Sequence, residues 1–118
     1  MELNAEKRTK RIRTYVNLCE RCVLESFSDP NFSYQMLSDE IGITPYYLGT
    51  IFKLEKGESI REYVNTIRLE RACELLDDTD YTVKSIAEMV GFISCNHFFM
   101  SFKRKYGTTP QKYRMKAS

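Results

Sequence analysis

No stretch of this sequence is apolar for long enough to span a bilayer, and no segment alternates apolar and polar residues with a period of two. The first lack excludes a transmembrane helix and the second leaves no candidate strand, so the expected fold class is all-α. Histidine occurs once, at His97, and cysteine four times. Cys19 and Cys22 form a C-x-x-C, but structural zinc wants four ligands, usually two such pairs or one pair with two histidines. Neither set can be assembled, so no metal and no cofactor is expected. Cys19 and Cys22 read as buried positions on a helix face, and Cys73 and Cys95 as unpaired thiols of a reducing compartment. There is no glycine-rich phosphate loop and no carboxylate pair in a catalytic setting, which leaves an enzyme nothing to work with. The opening "MELNAEKRTKRIRTY" is charged and lacks an apolar core, so it is not a secretory signal, and a cytoplasmic protein is expected.

What is present suits one compact domain. The chain has 118 residues, 42% hydrophobic and 29% charged, a globular composition with room for only small cores. The formal net charge of +2 hides an asymmetry. Residues 82–118 carry seven Lys/Arg against the single acid Glu88, a net of +6, whereas residues 29–58 carry five acids against Lys53 and Lys56, a net of −3. A basic C-terminal third points to an anionic partner.

Apolar residues at Ile12, Tyr15, Val16, Cys19, Cys22 and Val23 fall three and four apart, which predicts a helix from about Lys10 to Ser26. Asp29-Pro30-Asn31 breaks it. Ser33 then caps a short helix stopped by Gly42, and Thr44-Pro45 opens another that ends before Gly57. Ser59-Ile60-Arg61-Glu62 is a capping box, with two reciprocal side-chain bonds to exposed amides. It opens a helix of about 18 residues that carries one apolar face at Ile60, Tyr63, Val64 and Ile67 and another at Leu69, Ala72, Cys73 and Leu76. A helix apolar on two sides in so small a chain reads as a strut between two lobes. Thr82 caps the next short helix, Ser94 the one after, and Thr109-Pro110 the last.

The same unit occurs twice. "LSDEIGI" (37–43) matches "IAEMVGF" (86–92) at an offset of 49, and "TPYYLGTIFKLEKG" (44–57) matches "SCNHFFMSFKRKYG" (94–107) at an offset of 50, with one residue inserted in the second turn. Each copy is a short helix, a turn with glycine, a capped second helix and a basic residue, the plan of a helix-turn-helix whose second helix enters the DNA major groove. The expected organisation is helix 1 plus a first helix-turn-helix over 1–57, a linker helix over 58–80 and a second helix-turn-helix over 81–118. A strut of about 18 residues is about 27 Å long. That is close to the roughly 34 Å between successive major grooves, so one monomeric chain is expected to read both, with the helices at about 45–55 and 95–106.

"YYLGTIFKLEKGESIREYVNTIRLERACELL" and "SIAEMVGFISCNHFFMSFKRKYGTTPQKYR" resemble the DNA-binding domain of the AraC/XylS family of bacterial transcription regulators. The landmarks include Leu48, Phe52-Lys53, Gly57, Arg68, Ala72, Gly91-Phe92, Phe98, Phe102-Lys103, Gly107, Thr109-Pro110 and Tyr113-Arg114. The first copy is looser, with Ser38 where the family usually has alanine. The resemblance implies about seven helices in two helix-turn-helix subdomains joined by a long linker helix, with helices three and six as readers and double-stranded DNA as partner. The family often attaches this domain to a sensor or receiver domain.

By spacing, Phe98, Ser101, Phe102 and Lys105 share the inward side of the sixth helix, and Asn96, Phe99, Met100 and Lys103 the outward side. The resemblance implies base-reading positions at Tyr46, Gly49, Thr50, Cys95, Asn96, His97 and Met100. None is arginine, so the commonest specific contact, arginine to guanine, is missing. Asn96 suits adenine, and Thr50, Met100 and Tyr46 suit the thymine methyl, so an A·T-rich target is expected. Lys53, Lys103 and Arg104 are assigned to phosphates, together with the helix starts at Ser33, Thr44 and Ser94 and the flanking Tyr47 and Phe99. The alternative is a helical interaction module in which Phe99 and Met100 dock a sensor domain or RNA polymerase.

Overall fold

The computed structural model describes residues 2–117, with side chains from Asn4 to Lys116. Among them are seven helices and no strand: α1 (Glu2–Ser26), α2 (Tyr34–Ile41), α3 (Pro45–Lys56), α4 (Ile60–Asp78), α5 (Val83–Met89), α6 (Cys95–Tyr106) and α7 (Pro110–Ala117). None is long and apolar enough to cross a membrane. The chain divides into two units, the residues up to Ser26 with Phe32–Tyr63, and Phe27–Asn31 with the residues from Val64 onward. The boundary therefore falls inside α4.

In the first unit α1 begins at Glu2, eight residues before the start expected from apolar spacing. Residues 4–11 are all exposed and offer no apolar stripe, but their Ala, Glu, Lys and Arg are good helix formers. The stripe proper, Val16, Cys19 and Val23, is buried, as are Leu37 of α2 and Leu48, Ile51 and Phe52 of α3. The Thr44 hydroxyl accepts the Tyr47 N–H at 3.2 Å, and Gly57, in the left-handed region at φ 75°, donates to the Lys53 carbonyl. At the start of α4 the Ser59 hydroxyl accepts the Glu62 N–H at 3.1 Å and donates to the Glu62 carboxylate at 3.2 Å. The capping box is thus closed through the hydroxyl itself, where a carboxylate-to-amide bond was expected. The Tyr34 hydroxyl takes up another first-turn amide, that of Arg61, at 3.0 Å.

The second unit has one apolar core: Leu69, Ala72, Leu75 and Leu76 of α4, Val83, Ile86 and Ala87 of α5, Val90 and Phe92 of the turn, and Phe98 and Phe102 of α6. Two arginines close it. Arg68 donates from Nε to the Phe27 carbonyl at 2.8 Å and stands 5.8 Å from the Phe92 ring centroid. Arg114 donates to three carbonyls beyond its own helix, Leu76 at 3.2 Å, Thr79 at 3.2 Å and Tyr81 at 2.6 Å. Its bond to Leu76 takes up one of the carbonyls left open at the end of α4, where the Thr79 hydroxyl takes up that of Leu75 at 2.6 Å.

The internal repeat recurs in several backbone bonds, though Gly42 donates to the Ser38 carbonyl and its counterpart Gly91 to that of Glu88. Ile43 N–H donates to the Ser38 carbonyl at 3.2 Å and Phe92 N–H to the Ala87 carbonyl at 3.0 Å. Gly57 and Gly107 donate to the carbonyls of Lys53 and Lys103. The copy also runs one helix further than expected. Tyr63 packs on Phe52 with ring centroids 5.4 Å apart and Tyr113 on Phe102 at 5.6 Å, each following a Ser/Thr cap at the same offset.

Candidate nucleic-acid interface

The two candidate reader helices are built alike. Both are 12 residues long, begin at a Thr or Ser cap, bury three side chains, and end at a left-handed glycine. In α3 the buried set is Leu48, Ile51 and Phe52, and in α6 it is Phe98, Ser101 and Phe102. With a period of 3.6 residues, these sets turn the remaining faces to solvent.

On α3 the exposed face carries Tyr46, Thr50, Lys53 and Leu54, with Tyr46 at 86% and Leu54 at 75% exposure. Gly49 sits between them, and a Cβ added there would meet no atom within 4 Å. The Thr50 hydroxyl is turned back onto the helix, donating to the Tyr46 carbonyl at 3.0 Å. Tyr47, on the flank, packs edge-on against Tyr15 of α1 at 6.3 Å. Tyr34, Pro45, Tyr46, Gly49, Thr50 and Leu54 line an open groove on this face, with Lys53 its one charged side chain. Leu54 was not among the expected site residues. Its position four after Thr50 was the available signal.

On α6 the exposed residues are Asn96, His97, Met100, Lys103, Arg104 and Lys105. The Asn96 amide lies 3.9 Å from the Met100 sulfur, and His97 packs edge-on against Phe92 at 5.4 Å. Two expectations about this helix are corrected. Phe99, expected outward, is half-buried against the second unit's core, as is Cys95, because both flank the Phe98 face. Lys105, expected inward, is exposed beside the Tyr106 ring, where the ammonium stays solvated. Ile93, the residue inserted in the second turn, is 81% exposed just ahead of the cap, and spacing alone did not single it out.

The caps behave as their side chains dictate. Ser33, Thr44 and Ser94 each accept the amide three residues on, from Met36, Tyr47 and His97. Lys103, Arg104 and Lys105 fill the last turn of α6, and Lys53 and Lys56 that of α3. Lys56 is engaged with Glu20 at 2.8 Å, so of the two lysines of α3 Lys53 is the one facing the groove. Arg114, counted in the basic third of the sequence, is turned onto backbone carbonyls.

All four cysteines are free, and burial pushes the Cys19 thiol up to about 12. The Tyr113 hydroxyl donates to the Asp77 carboxylate at 3.3 Å, and burial pushes it up to about 12 as well. Among the described residues, no group of three or more His, Cys, Asp and Glu could hold a metal ion.

A helix-turn-helix domain family matches residues 37–116. The transcriptional regulatory protein YesN of Bacillus subtilis is 35% identical over 99 residues, 81% of this chain and 27% of its own length. The first relatives matched are covered over only 11% to 27% of their length. Among solved structures, the C-terminal domain of the two-component response regulator yesN of Fusobacterium nucleatum superposes with a TM-score of 0.80 at 35% identity, covering 83% of this chain and 95% of that one. The DNA-binding domain of the global transcriptional factor AdpA, solved with a target DNA, shares the fold with a TM-score of 0.80 at 24% identity, over 86% of this chain and 90% of that one.

Proposed function

Since the chain belongs to the AraC/XylS family of helix-turn-helix DNA-binding domains, we propose that it binds double-stranded DNA sequence-specifically in the cytoplasm and regulates transcription, with α3 and α6 entering successive major grooves. The observation that carries this reading is the repeat. Two reader helices of equal length have matched caps, matched buried faces and a lysine at matched positions, Lys53 and Lys103. A single domain with two such helices has the content of a dimer of half-site readers.

Base edges are read from Tyr46, Gly49 and Thr50 on one helix and from Asn96, His97 and Met100 on the other, with Cys95 at the start of α6. Lys53, Lys103 and Arg104 contact phosphates and fix the register, as do the amide ends capped by Ser33, Thr44 and Ser94. Tyr47 flanks the first set. Phe99, half-buried against the core of its own unit, flanks the second set. The chain acts as a binding module and not as an enzyme, and as a monomer. In a longer protein, a sensor or receiver domain would govern it, and RNA polymerase would be its partner on the promoter. The competing reading is a protein-docking module. It draws on exposed Met100 and on the acidic stretch at 29–58.

Selection from a random DNA pool, followed by titration of the winner at two salt concentrations, tests the proposal. Enrichment of one sequence with a steep salt dependence supports it. No enrichment supports the docking module.

A further inference from the structure

Resting on the DNA-binding reading, we infer that α3 reads its half of the target through thymine C5-methyl groups, with no hydrogen bond from Thr50 to a base. Three observations point there. The Thr50 hydroxyl, the short polar group in the middle of the exposed face, already donates its one proton to the Tyr46 carbonyl at 3.0 Å, so it has none to give a base acceptor, and the side chain lines the groove with its methyl as well. One turn on, Leu54 is 75% exposed, and a leucine has nothing to offer a base edge except apolar contact. In the same groove Gly49 leaves open space where any other residue would carry a Cβ.

The groove so formed runs from Tyr34 and Pro45 past Tyr46 and Gly49 to Leu54, and its one charge, Lys53, stands where a phosphate contact belongs. A methyl group is the one apolar feature that the major groove presents, and only thymine presents it. An apolar groove with a cationic side chain therefore fits a thymine-bearing strand better than it fits any pattern of donors and acceptors. The two readers would then divide their work. α6 has Asn96, whose amide matches adenine, and α3 has no amide or guanidinium among its exposed residues. Such a half-site is degenerate in its hydrogen bonds and strict in its methyl groups.

The test uses the DNA sequence that selection returns, with each thymine replaced in turn by uracil, which removes only the methyl. The expected result is a loss of about fourfold in affinity at each methyl seated in the groove, the scale of one buried methyl group. Thr50→Ser, which keeps the hydroxyl and deletes the methyl, should abolish the uracil effect at one or more of these positions. If no uracil replacement weakens binding, or if Thr50→Ser leaves every uracil effect intact, the inference is overturned while sequence-specific binding stands. A chain that selects no sequence overturns the functional reading, and the inference with it. Selective capture of protein by the same groove, with DNA bound only non-specifically, has the same consequence.

Discussion

The Nη1 of Arg114 donates to the Tyr81 carbonyl at 2.6 Å, with Nε and Nη2 of the same guanidinium on Leu76 and Thr79. One side chain of α7 thereby holds the chain just past α4. Hydrogen bonds from a charged group contribute about 1.5–3 kcal/mol each at most, and these three share one desolvation cost. Arg114→Met should lower stability by about 2–3 kcal/mol in denaturant unfolding. The slope of DNA affinity against salt should stay unchanged. A slope shallower by about one, with stability intact, would mean that Arg114 contacts a phosphate instead.

Gly91 and Gly42 occupy the same place in the two repeats, and their substitutions should differ. Both have positive φ, 104° and 88°. A Cβ on Gly91 would stand 2.5 Å from the Phe27 carbonyl oxygen and 2.9 Å from Arg68 Nε, whereas one on Gly42 would meet nothing within 4 Å. Gly42→Ala should cost about 1–2 kcal/mol for the left-handed backbone alone. Gly91→Ala adds overpacking against a backbone carbonyl and the loss of the Arg68 bond, and should cost about 3 kcal/mol or more. Thermal unfolding of the two variants side by side checks the ranking.

Gly49 should separate stability from binding. It lies within α3 with free space around it, so Gly49→Ala should stabilise the fold by about 1 kcal/mol through helix propensity. The added methyl would stand in the groove proposed to face the bases. DNA affinity should fall as the melting temperature rises. A rise in both would remove Gly49 from the interface.

Lys103→Ala should weaken binding to specific and random DNA alike and make the salt slope shallower by about one, the signature of a phosphate contact. Lys53→Ala should do the same for the other reader. Lys56→Ala should not, because Lys56 is paired with Glu20 at 2.8 Å.

Alkaline pH should destabilise the protein through Cys19. Burial raises its thiol from an ordinary 9.0 to about 12, so the folded state holds that proton more tightly than the unfolded state. The resulting stability is fully present below about pH 9 and is lost as pH climbs towards 12. Tyr113, raised to about 12, acts in the same direction. Denaturant midpoints across this range should fall for the native protein, and less for Cys19→Ala measured against its own value at neutral pH. At neutral pH, Cys19 should resist iodoacetamide until the chain is unfolded.

Much of this architecture is written in local chemistry. Thr44-Pro45, Ser94 and Thr82 announce helix starts because a hydroxyl followed by a free amide has one good use, and the structure puts each bond there. The 49- and 50-residue offsets pair Ile43 with Phe92 and Gly57 with Gly107, which make matching hydrogen bonds. The third matched helix was also visible, as Tyr63 and Tyr113 follow Ser59 and Thr109 at one interval, but the proline in one copy and the length of α4 in the other disguise it. The start of α1 was hidden because a helix exposed on all sides leaves no periodic trace. The roles of Arg68 and Arg114 were hidden for a different reason. A long cationic side chain reaches a phosphate, a carboxylate or a backbone carbonyl equally well, and only tertiary placement decides. Helical spacing likewise misplaces Phe99 and Lys105 on α6, because residues near the edge of the buried face are settled by what packs beside them.

Hydroxyl-radical footprinting on the selected DNA addresses the claim that one chain reads two successive grooves. Two protected tracts centred about one helical turn, or roughly 10 base pairs, apart are expected, with Thr50→Ser altering contacts in one tract and Asn96→Ala in the other. A single protected tract that responds to both substitutions, or to Asn96→Ala alone, would contradict it.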